Sequence, residues 1–272
     1  MPAAKVERPL IAVLADARRI GDRQPAGLRA ALMRAGHAAL LLDADDAKGG
    51  ALDTVDLIIA RGRSAAVLAL LARAEGMGIR TVNRCAAIAL VRDRAAALRT
   101  LHNSGVPTPG SSAGSIESIS RAFGAHEYPI VVKPLYAEDR AMLRLVHTRD
   151  ELLALPWPKV PAVAQRFVPS NGFDLKLYVI GADVYAMREP SALTSAPGSR
   201  SHEVSVSPPL RALARRCGLA FGLELFSVTC VELTAGPVAI AVDDFPDYAG
   251  IASADERLAR FAIDRALGAR RR

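Results

Sequence analysis

Pro129-Ile130-Val131-Val132-Lys133-Pro134 sets one lysine at the end of three uninterrupted β-branched residues. Such a run reads as a strand covered on both faces. An ammonium buried there costs several kcal/mol unless an anion compensates it. Lys133 therefore either turns into solvent at a strand edge or meets a phosphate or carboxylate in a cleft. Near the other end of the chain, Val242-Asp243-Asp244-Phe245-Pro246-Asp247 closes an apolar run with three carboxylates. Taken by themselves they read as a polar strand-to-loop exit. The three cysteines, Cys85, Cys217 and Cys230, are far apart and form no Cys-x-x-Cys pair. They read as buried thiols rather than a zinc site or a disulfide framework.

Elements that could position these groups follow from the hydrophobic pattern. The first ninety residues alternate short apolar strands (Leu10 to Leu14, Ala38 to Leu42, Val55 to Ala60, Arg80 to Val82) with helices over Pro25 to Ala35 and Ser64 to Glu75. This βαβ rhythm predicts a small parallel sheet covered by helices. Ligands bind such sheets at the strand C-termini, which makes Asp16 to Arg19 and Arg61-Gly62-Arg63 candidates, with a plain surface loop as the other reading. A helix from about Arg92 to Asn103 then stops at Ser104-Gly105-Val106-Pro107. Beyond it come a helix Ser115 to Phe123, strands Ile130 to Lys133 and Met142 to His147, a helix Arg149 to Leu155, and a strand Val163 to Val168. The last third reads as two strands around Gly181, a helix Leu210 to Phe221, a hairpin Leu225 to Asp243 turning at Ala235-Gly236, and a closing helix Glu256 to Leu267. The expected division is 1–91, 92–168 and 169–272.

With 272 residues, 51% hydrophobic and 23% charged, the chain can bury a sizeable core and is not disordered. No apolar run reaches the ~20 residues that span a bilayer, and residues 1–9 lack the apolar centre of a signal peptide, so a cytosolic protein is expected. The net charge of +7 suits anionic substrates. Arg270-Arg271-Arg272 has no interleaved aromatics and reads as a helix-end cap rather than a nucleic-acid patch.

The order of the later segments carries more information than any one of them. Ile130 to Lys133 is followed by Ala164-Gln165-Arg166-Phe167-Val168, by Asn171-Gly172-Phe173-Asp174-Leu175-Lys176, by Val184-Tyr185-Ala186-Met187-Arg188, and finally by Val238 to Tyr248. From about Asn83 onward this succession resembles the ATP-grasp superfamily, both its RimK-type carboxylate-amine ligases and its inositol polyphosphate kinases. The resemblance implies an α/β chain in which an N-terminal βαβ lobe precedes a two-lobed ATP-grasp α+β fold, with ATP and magnesium as cofactors. It implies phosphate contacts from Lys133 and from Arg94, which stands in Asp93-Arg94 where the family commonly has Asp-Lys. Gln165 would lie at the adenine amino group, although a glutamine on an exposed strand edge fits the same pattern. Asp174 would be the ribose or substrate acid, or a simple turn acid. Arg200 would be a transition-state arginine in a mobile loop, or a solvated loop residue. Asp243 would be a magnesium ligand.

Departures from the family pattern are as specific. Leu135 to Met142 contains no glycine and includes Glu138 and Asp139, where the family has a glycine-rich loop over the phosphates. Arg166 stands where glutamate is usual. Of the three positions that present metal ligands, this chain has Thr229, Ala241 and Asp243, and alternation sets Glu232 and Asp244 on the opposite face. Three readings follow: a carboxylate-amine ligase working through an acyl phosphate; a catalytically degenerate partner or ligand-binding subunit; and a small-molecule kinase, which Phe245-Pro246-Asp247-Tyr248 resembles at least as well. The partners implied are a nucleotide with a small carboxylate or a protein, without membrane or nucleic acid, and an oligomer is compatible.

Overall fold

Apolar strands separated by amphipathic helices build the first sheet. The computed structural model describes residues 8–46, 52–136, 142–196 and 198–270. Strands β1 (Leu10–Ala15), β2 (Ala38–Asp43), β3 (Leu57–Arg61) and β4 (Arg80–Val82) pair in parallel in the order β2-β1-β3-β4. Helices α1 (Arg23–Arg34) and α2 (Ala65–Gly76) cross between them. In β1 and β3 the odd-numbered residues Ile11, Val13, Leu57 and Ile59 pack towards α1, while Ala12, Leu14, Ile58 and Ala60 pack towards α2. Both faces are therefore apolar, as a parallel sheet requires.

The helix expected from about Arg92 to Asn103 is α4 (Arg94–Asn103), and a further helix that the sequence reading did not include, α3 (Cys85–Arg92), runs directly into it. Asp93 interrupts them because its carboxylate accepts the Ala96 N–H at 2.9 Å, which caps the second helix while its backbone leaves helical geometry. The second sheet is antiparallel, in the order β5-β8-β6-β7: β5 (Ser111–Gly114), β6 (Ile130–Pro134), β7 (Arg144–Val146) and β8 (Ala162–Arg166). Helices α5 (Ile116–Ala122) and α6 (Arg149–Leu153) cover one face. Strand β6 is not covered evenly on both sides. Ile130, Val132 and Pro134 are buried, whereas Val131 and Lys133 on the other face are half-buried.

The third sheet has the order β11-β10-β9-β12-β13, again antiparallel, from β9 (Phe173–Ile180), β10 (Asp183–Pro190), β11 (His202–Val204), β12 (Leu225–Leu233) and β13 (Gly236–Asp243). Leu175, Leu177, Phe226 and Val228 pack under α7 (Pro208–Phe221) and α4. The last helix, α8 (Ala254–Arg270), crosses back to the first sheet, where Leu258, Ala259 and Ala262 join Leu28, Leu32 and Ile11 in one core. Among the described residues no helix is long and apolar enough to cross a membrane. The glycine-free segment at 137–141 and residues 271–272 of the arginine tail lie outside the described residues.

Candidate active site

The face of the third sheet opposite α7 carries rows of side chains fixed by strand register. Lys176 on β9 lies between Met187 on β10 and Thr229 on β12, and Thr229 faces Ala241 on β13. The next row holds Tyr185, Tyr178, Ser227 and Asp243. Period-two alternation puts the polar residues Asp174, Lys176 and Tyr178 on this face and Leu175, Leu177 and Val179 on the core face. A cavity of about 680 Å³ opens over it, walled by the second sheet, by α4 and by the loop after β3. Seven cationic and four acidic described side chains line the cavity, a formal excess of three positive charges.

Lys133 enters from β6. Its ammonium donates to the Gln165 carboxamide oxygen, which lies diagonally across the β6–β8 pair. Burial, then the neighbouring Arg94 guanidinium, pushes the Lys133 ammonium down to about 7. Gln165 is itself buried and donates through Nε2 to the Ile240 carbonyl at 3.3 Å. Its carboxamide therefore orients the lysine and ties β8 to β13, a pairing that the sequence reading did not include. Arg94 begins α4 and donates to the Pro134 carbonyl at 2.5 Å, which sets it beside Lys133. Burial, then Arg63, lowers its affinity for a proton, and Asp243 partly offsets them.

Lys176 is buried in the middle of β9, 3.9 Å from Glu189 and 4.9 Å from the centre of the Tyr178 ring. Tyr178 donates to the same Glu189 at 2.5 Å. The network was missed in the sequence, although a lysine in phase with Asp174 and Tyr178 along an otherwise apolar strand was the signal for it. Asp174 shares this face of β9 and pairs in register with Glu189. Arg200 is exposed in the loop before β11, next to Ser201, which lines the cavity.

The carboxylates at the end of β13 are only in part a solvated exit: Asp247 is exposed and Asp243 half-buried. Asp244 is buried at 2% exposure, and Phe245 and Tyr248 pack in the core. Asp244 does not fall on the face opposite Asp243, because the regular strand ends at Asp243 and alternation no longer applies. Both acids converge on Arg63, which pairs with Asp243 and lies 2.6 Å from the Asp244 carboxylate. Burial alone would raise Asp243, but Arg63, Lys176, the Phe245 N–H and Arg61 outweigh it and hold this carboxyl below its usual range. At Asp244, burial, opposed by Arg63 and reinforced by Asp243, pushes the carboxyl up to about 6.

Arg61-Gly62-Arg63 is correspondingly not a plain surface loop. Arg61 is buried, donates to the carbonyls of Phe245 at 2.8 Å and Pro246 at 3.2 Å, and stacks over the Phe245 ring. Gly62 has φ +145°, and a Cβ there would stand 2.6 Å from Asp16 Oδ2. A side chain there would be strained in its backbone conformation and would crowd Asp16, so glycine suits the position.

Three sheets around a cation-rich cleft, with a lysine from the central sheet and an arginine from the start of α4 beside it, together with an acid-bearing hairpin, define an ATP-grasp ligase. Comparison with solved structures agrees. The chain superposes on a RimK domain ATP-grasp protein from Sphaerobacter thermophilus with a TM-score of 0.73 at 26% identity, covering 93% of this chain and 98% of that one. The fold is also shared with the ATP-grasp ligase PsnB, solved with a minimal precursor, Mg and ADP (TM-score 0.72, 17% identity, 96% of this chain and 98% of that one). Among curated sequences, a "Probable alpha-L-glutamate ligase" of Thioalkalivibrio sulfidiphilus is 30% identical over 226 residues, 76% of this chain and 74% of its own length. One of the same name from Hydrogenovibrio crunogenus is 28% identical over 228 residues, 77% and 75% of the two chains. No protein-family model matches. The chain belongs to the RimK-type ATP-grasp carboxylate-amine ligases. These relatives favour neither the kinase reading nor the degenerate-subunit reading.

ATP-grasp ligases use ATP with magnesium. Thr229 and Ala241 bring no carboxylate, Arg63 holds Asp243 and Asp244, and among the described residues no three His, Cys, Asp or Glu side chains gather to hold a metal ion.

Proposed function

We propose that this chain joins the carboxylate of a small acidic substrate to an amine, with ATP as the activating reagent. The observation that carries this reading is the convergence of Lys133 and Arg94 from the central lobe with Lys176 from the third sheet on one cleft of net positive charge. Lys133 and Arg94 hold the nucleotide phosphates as point charge and guanidinium fork. Gln165 keeps the ammonium aimed between them. A carboxylate oxygen of the substrate attacks the terminal phosphorus and ADP leaves. The amine then attacks the resulting acyl phosphate, forms the amide, and releases phosphate and a proton. Positive side chains around the reacting atoms stabilise the charge that develops on the transferred phosphoryl group. Lys176, held by Glu189 and the Tyr178 ring, is placed to receive the substrate carboxylate, and Arg200 stands on the loop that flanks this side.

The names of the curated relatives suggest glutamate as the acid. The cationic excess supports an anion with two carboxylates over a neutral amino acid. The test is ADP release on adding L-glutamate and an amine acceptor to the purified chain, with mass spectrometry of the product. Release stimulated by glutamate and not by alanine is expected. ADP release indifferent to any carboxylate would contradict the ligase reading.

A further inference from the structure

We infer that the Arg63 guanidinium is a resident cation that takes the place of a metal ion at the end of β13, so that nucleotide phosphates bind without magnesium. The inference rests on the nucleotide reading of the cleft. Three observations carry it. First, Arg63 engages both acids at the strand end, Asp243 and the fully buried Asp244, from the side of the cavity. A divalent ion would have to displace a guanidinium from two carboxylates before it could coordinate either. Second, the loop that delivers Arg63 is built for it. Gly62 takes a backbone conformation closed to other residues, Arg61 anchors the loop to the Phe245 and Pro246 carbonyls, and Ser64 caps α2 directly after it by accepting the Val67 N–H at 3.2 Å. Third, Thr229 and Ala241 offer no oxygen anion that would tip the balance towards a metal. A guanidinium carries one charge where a divalent ion carries two. The shortfall at the phosphates is met by Arg94 and Lys133, which line the same cavity.

Mn²⁺ alone serves as the probe, titrated calorimetrically into the wild-type chain, Arg63→Gln, and Asp243→Asn. The wild type should show no saturable site that Asp243→Asn abolishes, and Arg63→Gln should bind Mn²⁺ about tenfold or more tightly than the wild type. A saturable wild-type Mn²⁺ site lost in Asp243→Asn would overturn the inference, as would a folded Arg63→Gln chain with no gain. Because Arg63→Gln leaves two acids without their cation and can prevent folding, a second measurement uses the wild type only. ATP affinity in chelator should lie within about threefold of that in magnesium, and a magnesium effect beyond about tenfold would overturn the inference while leaving the ligase reading intact. No ATP binding in either condition would instead sink the nucleotide reading, and the wild-type and Asp243→Asn manganese titrations would then decide the role of Arg63.

Discussion

Lys133 shows how one residue's chemistry depends on what surrounds it. The residue is half-buried, with its ammonium desolvated, hydrogen-bonded to Gln165 and faced by Arg94, and its proton affinity falls from the ordinary 10.5 to about 7. Since the unfolded chain keeps a proton that the folded chain has given up, folding stability from this group rises as pH climbs from 7 towards 10.5. A phosphate placed beside the ammonium reverses the shift, because an anion favours the charged form. Binding of ATP at pH 8 should therefore draw about one proton from the buffer, seen as a calorimetric enthalpy that varies with buffer ionisation heat. Lys133→Ala should abolish that uptake and weaken ATP by roughly tenfold or more, the value of one charge-assisted contact. Undiminished affinity in a folded Lys133→Ala chain would remove Lys133 from the phosphate site.

At the scale of elements, the site depends on how strand ends from different sheets are tied together. Asn83, just after β4, donates to the Leu225 carbonyl at 2.6 Å and the Asp244 carbonyl at 2.5 Å, and accepts from the Glu224 and Leu225 N–H groups at 2.8 and 3.0 Å. Asn83→Ala would leave those buried backbone groups unpaired, at about 1–3 kcal/mol for each unsatisfied group and less than additively in sum. A loss of at least about 3 kcal/mol in urea unfolding is expected, and a loss under about 1 kcal/mol would show that the staple carries little. The β12–β13 hairpin gives a complementary test. Thr229 and Ala241 face each other in register and both line the cleft. Thr229→Asp with Ala241→Glu should melt below the parent in chelator, through repulsion with Asp243, and recover with magnesium and ATP. Absence of metal-dependent recovery would mean that this hairpin cannot form a metal site even when given the ligands.

Across the whole molecule, the C-terminal helix belongs to the N-terminal sheet. Helix α8 packs beside α1 over Ile11, Val13, Leu57 and Ile59, with Leu258, Ala259, Ala262 and Ala266 fully buried against them. Tyr248 extends the same core, its N–H donating to Gln24 and its hydroxyl to the Val179 carbonyl, both at 2.8 Å. A fragment ending at residue 91 would expose one face of a parallel sheet, and such sheets are stable only when both faces are covered. Residues 1–91 alone should therefore lack the cooperative unfolding transition of the full chain by circular dichroism. A cooperative transition in that fragment would show that α8 is dispensable to the sheet.

The local pattern determined most of the elements. Period two and β-branching marked the strands, Gly105 and Pro107 stopped α4, and the order of Lys133, Gln165, Asp174 and Asp243 along the chain carried the resemblance to ATP-grasp ligases, because each depends only on neighbours in sequence. Short strands with few β-branched residues, β5 (Ser-Ser-Ala-Gly) and β11 (His-Glu-Val), left no such signal and exist through pairing with β8 and β10. The contacts that shape the site are longer in range. Arg63 and Asp243 are separated by 180 residues, and Gln165 and Ile240 by 75. Whether Arg61-Gly62-Arg63 and Asp243-Asp244 are solvated loops or one partly buried ion cluster is decided by which strand ends meet, a property of the assembled sheets and not of either segment.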